Sequence, residues 1–420
     1  MGAHSHHHAA GSIEVGRTAR LVTLGLLLAI GLATVIGGVV LWPDSSKAPK
    51  VSAAAAYGAP GVTFPHGVVT AVQGACPVTT VPNGNGGTTT APVPSANCGN
   101  ISVRPDGSAA PVTVSAVPPY VLAAGLKAGD RVQLVHQPGG GGVPASYAFY
   151  NVDRHTPLLL LAIIFAVVVI AVAWWRGVMA LVGLGIGAAV VLKWMLPSLL
   201  QGESGLWVAL VGASAIMFVV LYSTHGVSLR TSVALLGTFV GIGISTAAAT
   251  WAIQRSQLTG MSDETAATLS SFVPHLKLVD ILTCGMVLAG LGVLNDVTVT
   301  QASAVWELRE AGPHLSRRRI FSGAMRIGRD HIASTIYTLV FAYGGAALVT
   351  LTVLQIYGQP FGDLVSTESI AEEIVRTLAA ATGLVLAVPV TTAIAAAIAS
   401  PTAHDGVPIG PTSTDPVRNA

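Results

Sequence analysis

The feature that most constrains this chain is a series of long apolar segments that carry almost no charge. The first, residues 21–42, contains no charged side chain, and seven similar segments follow between residues 157 and 399. A helix of about 20 apolar residues spans the hydrocarbon core of a bilayer. Only 10% of the 420 residues are charged, against about 25% in a soluble domain. The pattern predicts a multi-pass α-helical membrane protein and excludes an ordinary soluble enzyme or a disordered chain.

Eight membrane-spanning helices are predicted. A tail of residues 1–20 precedes the first helix, a hydrophilic region of residues 43–156 follows it, a seven-helix membrane domain covers 157–400, and a second tail covers 401–420. Rows of small residues four apart, such as Gly237 with Gly241 and Gly383 with Ala387, favour close packing of helix backbones in lipid. The predicted spans are residues 21–42, 157–175, 178–196, 206–222, 231–253, 278–296, 332–357 and 377–399.

The distribution of charge predicts the orientation. With the N-terminus inside, the inner connections carry Arg176, Arg230 and six arginines between residues 309 and 329, whereas the loop 358–376 carries four acidic residues and one arginine. Cytoplasmic loops of membrane proteins are enriched in Lys and Arg. We therefore expect a protein of the bacterial cytoplasmic membrane with both termini cytoplasmic and residues 43–156 outside. The His-rich residues 4–8 are interpreted as a mobile tail, with metal binding as the alternative.

The outer region, residues 43–156, is predicted to have two parts. Up to about residue 117 it is rich in Pro, Gly, Thr and Ala, which is typical of a linker. Residues 118–152 contain two alternating segments, 127–135 and 146–152, which predict strands of a small β-rich domain. Cys76 and Cys98 lie in this region, where an extracytoplasmic location permits a disulfide, and two buried free thiols are the alternative.

The sixth predicted span carries the most informative pattern. At 100° per residue, seven small or polar residues fall on one arc, and Leu291, Leu294 and Val305 lie opposite. Such a face is expected in the interior of the bundle, with its lower half lining a polar site near the cytoplasmic boundary. An ordinary cytoplasmic extension of the helix, or a break at Gly290, Gly292 and Asn295, is the alternative. The arc contains Gly285, Ala289, Gly292, Asp296, Thr300, Ser303 and Glu307.

Further polar residues are expected on the same side. Asn295 and Gln301 belong to the predicted polar site, for which Asp296 is the strongest candidate in ion or proton coupling. Interfacial capping is the alternative role for the two histidines among its candidate partners. The candidate partners are His225, Arg230, Arg329, Asp330 and His331.

Sequence motifs for catalysis or cofactor binding were not found. The chain has no phosphate-binding loop, no His-Glu-x-x-His zinc motif and no Gly-x-Ser-x-Gly nucleophile elbow. We therefore expect neither an enzyme nor a bound metal or cofactor. The formal net charge of +2 gives no indication of nucleic-acid binding.

The segment Gly-Val-Leu-Asn-Asp-Val-Thr-Val-Thr-Gln-Ala-Ser-Ala-Val-Trp-Glu-Leu, residues 292–308, resembles the YibE/F-like family of bacterial membrane proteins. Thr-His-Gly at 224–226, Leu-Thr-Gly-Met-Ser-Asp-Glu at 258–264 and Gly-Arg-Asp-His-Ile at 328–332 also fit. The resemblance covers about residues 122–399. It implies a predicted permease, but no established substrate and no ligand residues.

Two function classes follow from these patterns. The first is a secondary transporter of a small ion or metabolite, with the polar site of the sixth span on the cytoplasmic side. The second is a sensor or envelope-assembly scaffold that acts through its outer region. The expected partners are the lipid bilayer, the small substrate, and either a second copy of the chain or an envelope protein.

Overall fold

The computed structural model describes residues 16–44, 46, 61–74, 76–82, 88–92, 98–139, 144–262, 264–273, 275–358 and 360–399. The predicted His-rich tail and the predicted C-terminal tail, residues 401–420, lie outside these residues. The chain forms two compact units, one of Lys50–Val172 and one of Met1–Pro49 with Ala173–Ala420.

The smaller unit is built on a five-stranded antiparallel sheet with the strand order β5-β4-β1-β6-β7. One face of the sheet buries a valine-rich core that includes Val69, Val103, Val132 and Leu134. A separate hairpin pairs β2 with β3. The elements are β1 (His66–Val72), β2 (Val78–Pro82), β3 (Thr88–Pro92), β4 (Ile101–Pro105), β5 (Val112–Val114), α2 (Pro119–Ala123), β6 (Arg131–Gln137) and β7 (Ser146–Val152).

The two strands expected between residues 118 and 152 are present as β6 and β7. The linker expected up to residue 117 differs from the structure, because β1, β4 and β5 of the sheet come from it. These strands are only three to seven residues long, and the Pro, Gly and Thr residues around them hide the alternation. Cys76 and Cys98 form a disulfide that joins the segment after β1 to the segment before β4.

A small polar network lies between the end of β7 and the start of the helix that follows it. Asp153 Oδ1 accepts a hydrogen bond from the backbone N–H of His155 at 2.9 Å, and its Oδ2 lies 3.3 Å from Nδ1 of His66. The backbone hydrogen bond, together with the charges of His66 and Arg131, lowers the pKa of the Asp153 carboxyl below its ordinary value despite the opposing effect of desolvation. Asp153 is therefore charged at neutral pH.

Long apolar helices make up the rest of the chain. A π-helical turn, Val191–Met195, lies inside α3, and a bend of 58° separates α8 from α9. The helices are α1 (Arg17–Val40), α3 (His155–Leu200), α4 (Gly205–His225), α5 (Leu229–Arg255), α6 (Glu264–Phe272), α7 (Leu278–Ala311), α8 (Arg317–Ala346), α9 (Leu348–Ile356), α10 (Phe361–Ser366) and α11 (Glu368–Ile398).

Six helices in the described residues are long and apolar enough to cross a membrane, or seven when α8 and α9 count as one bent span. The predicted number was eight. The difference lies in α3, whose 46 residues correspond to about 69 Å, more than twice the thickness of a bilayer core. Trp174 inside α3 has non-helical dihedral angles, φ 52° and ψ −135°, close to the boundary expected between two spans. The count of eight stays a prediction.

Small residues bring α5, α7 and α11 together at the centre of the larger unit. A Cβ atom at Gly383 of α11 would meet the side chain of Ser245 and lie 2.7 Å from the carbonyl oxygen of Gly241, both on α5. A Cβ atom at Gly241 would in turn lie 2.6 Å from Cδ2 of Leu294 on α7. The predicted rows of small residues therefore face each other, and backbone contact between these helices depends on them.

We predict that Gly383→Ala lowers the stability of the bundle, because the added methyl group has no space against α5. Overpacking of this kind typically costs about 1–3 kcal/mol. The measurement is the thermal midpoint of the detergent-solubilised protein. Gly243→Ala is the matched control, since a Cβ atom there meets nothing within 4 Å. Equal midpoints for the two variants would contradict the packing described here.

Candidate functional site

The predicted polar stripe of α7 lies on the outside of the bundle, contrary to the expectation that it faces the interior. Gly292, Asp296 and Glu307 are exposed, and the side chain of Asp296 is 68% accessible. The opposite face is buried, with Leu294 and Val305 at 1% and 0% exposure. The helix is continuous from Leu278–Ala311, so the alternative of a helix break is wrong.

The physical reason for the reversal is that α5 and α11 pack against apolar and small side chains of α7. Gly290, which is not on the predicted arc, is the glycine that contacts α11, with its Cβ position 3.5 Å from Cβ of Ala380. Close packing of apolar groups therefore determined which face of α7 is buried. The polar residues of the stripe could face outward because the helix continues past the expected end of the span.

The structure brings Asp296 together with one of its candidate partners. Nε2 of His331 on α8 lies 3.3 Å from Oδ2 of Asp296, although the geometry is not that of a hydrogen bond. The hydroxyl of Thr300 donates to the carbonyl of Asp296 within the same helix. Ser303 is half-buried, and Oδ1 of Asn295 is buried without a hydrogen-bond partner. The stripe therefore contacts α8 through the pair Asp296–His331, and also through Ala289, whose carbonyl accepts a hydrogen bond from the hydroxyl of Tyr343.

The other candidate partners do not join this pair. His225 is exposed at the end of α4, and Arg329 and Asp330 are exposed on α8. Arg230 is half-buried at the start of α5. In the part of the chain that the structure describes, none of these four residues forms an ion pair.

Gln301 is the predicted site residue that lies inside the bundle. Its side chain is 1% exposed, and Nε2 donates to Oγ1 of Thr392 at 2.7 Å and to the carbonyl of Ala324 at 3.3 Å. Oε1 is buried and has no hydrogen-bond partner. Gly328 makes room for it, since a Cβ atom there would lie 2.6 Å from Nε2. Gln301 thus joins α7, α8 and α11 and keeps one acceptor unpaired.

More polar side chains are buried where α5, α7 and α11 meet. Oγ1 of Thr238 and Oγ1 of Thr298 are 2.7 Å apart and fully buried. The hydroxyls of Ser245, Thr246 and Thr391 are also buried, and they have no hydrogen-bond partner. Polar residues in a membrane interior are costly and commonly mark pathways for ions or substrates. These three helices therefore enclose a polar interior, which we define as Ser245, Thr246, Thr238, Thr298, Thr391, Gln301 and Thr392.

One end of the larger unit, here called the arginine end, is fixed by Arg309. The side chain is 2% exposed. Its Nε donates to the carbonyl of Ala399, and its Nη1 donates to the carbonyls of Pro313 and Leu315. These carbonyls follow the C-termini of α11 and α7, where backbone acceptors lack helical partners. Arg309 therefore ties the two helix ends together and has a structural role.

The opposite end, here called the Glu372 end, is where α7 and α11 begin. Glu368 accepts hydrogen bonds from the backbone N–H groups of Thr259 and Gly260, and Glu373 forms an ion pair with Arg376. Glu372 is 6% exposed, and its Oε1 has no hydrogen-bond partner. It lines a cavity of about 310 Å³ between α6, α7 and α11.

Sequence reasoning missed Glu372, Arg309 and the buried hydroxyls. A signal for Glu372 was present: Glu372, Arg376 and Ala380 continue the row of Gly383, Ala387 and Thr391 at helical spacing. Likewise, Thr298 and Gln301 interrupt the apolar face of α7, which shows that this face does not contact lipid. Both signals become visible only when the row of small residues on α11 and the apolar face of α7 are taken to be the buried faces of these helices.

An apolar helical bundle with a small antiparallel sheet defines the class as an α-helical membrane protein. The model of the family described as YibE/F-like protein matches residues 161–401, and the chain belongs to this family. No match was found among curated proteins or among solved structures.

We predict that Arg309→Met destabilises the protein, because three backbone carbonyls, of which that of Ala399 is buried, lose their donor. Leaving a buried acceptor unsatisfied costs about 1–3 kcal/mol. The thermal midpoint in detergent measures the loss. Arg326→Met is the control, since Arg326 is exposed on α8 and exposed substitutions usually change stability by less than about 0.5 kcal/mol. A midpoint for Arg309→Met equal to that of the control would refute the structural role.

Proposed function

We propose that this protein is a secondary transporter of a small ion or metabolite. Its route follows the polar interior between α5, α7 and α11. The protein crosses the bacterial cytoplasmic membrane eight times, with both termini cytoplasmic. The positive-inside distribution of arginines supports this orientation, which makes the Glu372 end extracytoplasmic and the arginine end cytoplasmic. The polar site of the sixth span is then centred on Gln301 rather than on the exposed stripe.

The observation that carries the proposal is the unpaired Oε1 of Gln301 in a fully packed region. A buried acceptor without a donor is destabilising, and the bilayer supplies no water to compensate. Three hydroxyls of the same polar interior, those of Ser245, Thr246 and Thr391, are also buried without a hydrogen-bond partner. Groups of this kind can replace the hydration shell of a polar substrate as it passes between the helices.

Asp296 and His331 are the proposed coupling pair. Histidine can relay protons, and the gain or loss of a proton by His331 alters its attraction to Asp296. His331 lies on α8 one turn from Gly328, the residue that makes room for Gln301. Protonation of the pair can therefore shift α8 against α7 at the place where Gln301 lies.

The rival function is a sensor or envelope-assembly scaffold. The observation that favours it is the smaller unit, whose sheet has its own core and a disulfide. In this case the outer unit binds a partner and the bundle serves as an anchor. Deletion of residues 43–151 that left every phenotype intact would remove the support for this rival.

We predict that Gln301→Leu abolishes transport, because it removes the amide at the centre of the route. The protein is reconstituted in vesicles with an entrapped pH dye, and small inorganic and organic cations are added outside in turn. The rate of proton movement is expected to fall at least about tenfold. Asp296→Asn is expected to remove the dependence of the rate on the pH gradient.

Ser303→Ala is the matched control for Gln301→Leu, because Ser303 is close by on the same helix but belongs to the half-buried part of the polar stripe and not to the polar interior. It is expected to transport at the wild-type rate. Normal transport by Gln301→Leu, combined with loss in Ser303→Ala, would place the route along the stripe instead. Absence of flux with every cation, from protein verified as folded, would favour the scaffold.

A further inference from the structure

The cavity at the Glu372 end is lined by apolar side chains on one part of its wall and by polar side chains on the other. Its volume is about 310 Å³, on the order of ten water volumes of ~30 Å³ each. Much of the wall is apolar, formed by Leu269, Leu278 and Ile281. The polar part consists of the hydroxyls of Ser262 and Thr265, the carboxyl group of Glu372 and the guanidinium group of Arg376.

Glu372 differs from the neighbouring Glu368 and Glu373, because it is buried and, among the described residues, forms neither an ion pair nor hydrogen bonds with backbone N–H groups. Glu373 is paired with Arg376, and Glu368 is satisfied by the 259–260 backbone. Ser262 hydrogen-bonds the carboxyl group of Glu372, but Oε1 remains without a donor although the side chain is 6% exposed. A buried carboxylate is stable only when it is paired or protonated.

The charges of the residues around Glu372 indicate the sign of the charge that a ligand of this carboxyl group should carry. Three glutamates and one arginine lie in the first turns of α11 between residues 368 and 376, so the local balance is negative. Arg376 forms its ion pair with Glu373, and although its charge also acts on Glu372, one guanidinium does not balance three carboxylates. The site is therefore expected to attract a single positive charge.

The apolar wall indicates what carries that charge. In the part of the chain that the structure describes, no group of three His, Cys, Asp or Glu residues could hold a metal ion. Hydrated inorganic cations gain little from leucine and isoleucine side chains, whereas an alkyl group loses its contact with water there. A protonated amine with a short apolar body matches both the single carboxylate and the apolar lining.

We propose that the cavity at the Glu372 end binds a small organic cation, with the ammonium group at Oε1 of Glu372 and the apolar body against Leu269, Leu278 and Ile281. The inference deepens the proposed function and rests on it, since it names the class of substrate that enters the route at this end. Equilibrium binding tests it without any transport.

The experiment is isothermal titration of the full-length protein in detergent with n-butylammonium chloride. Sodium butyrate and n-butanol are probes of matched size with the opposite charge and no charge. Wild-type protein is expected to bind n-butylammonium saturably and at least about tenfold more tightly than either matched probe. Glu372→Gln is expected to weaken binding at least about tenfold, whereas Glu307→Gln on the exposed stripe leaves it unchanged.

A second variant tests the same cavity independently, in case Glu372→Gln does not fold. Leu269→Trp keeps the carboxylate but fills the cavity, and it is also expected to weaken binding at least about tenfold. Binding that is unchanged in both variants overturns the proposal, as does butanol binding equal to that of n-butylammonium. Sodium chloride that competes at equal concentration shows an inorganic-cation site and overturns it too. Amine binding without flux supports the site and contradicts the transporter.

Discussion

The structure depends on the close approach of α5, α7 and α11, which is possible only where glycine leaves room for a neighbouring side chain or backbone. In a bilayer there is no water to pair buried polar groups, so helices that approach closely must satisfy each other's polar atoms. Gly383 leaves room for the side chain of Ser245, and Gly328 leaves room for that of Gln301. The glycines both pack the helices and place polar side chains between them.

The two ends of these helices differ from their middle. At the ends, Arg309 satisfies three backbone carbonyls, and Glu368 accepts from two backbone N–H groups. Between the ends, Ser245, Thr391 and Gln301 keep atoms without partners. The satisfied backbone groups at the ends stabilise the bundle, whereas the unpaired atoms in the middle, together with Oε1 of Glu372 at one end, are the ones proposed to meet a substrate.

The sequence predicted the membrane class from its long apolar segments and the family from its motifs. It also predicted the rows of small residues, because residues four apart lie on one face of a helix. It named His331 as one of five candidate partners, and Nε2 of this residue lies 3.3 Å from Oδ2 of Asp296. It failed for the buried face of α7, because polar side chains were assigned to the interior while apolar packing against α5 and α11 decided the orientation. It missed β1, β4 and β5 since short strands among Pro and Gly residues lack a clear alternation. Glu372 was missed because its isolation depends on how its neighbours pair, which only three-dimensional contacts reveal.

The most direct test of the central claim is the accessibility of Thr391 to water during the transport cycle. The cysteine variant Thr391→Cys, made together with Cys284→Ser, is treated in proteoliposomes with a small charged methanethiosulfonate reagent. Ser303→Cys in the same background reports on the half-buried part of the polar stripe, and labelling after denaturation shows that each thiol is intact. A polar route between α5, α7 and α11 predicts modification of Thr391→Cys that n-butylammonium slows. A thiol at position 391 that reacts only after denaturation would contradict the route.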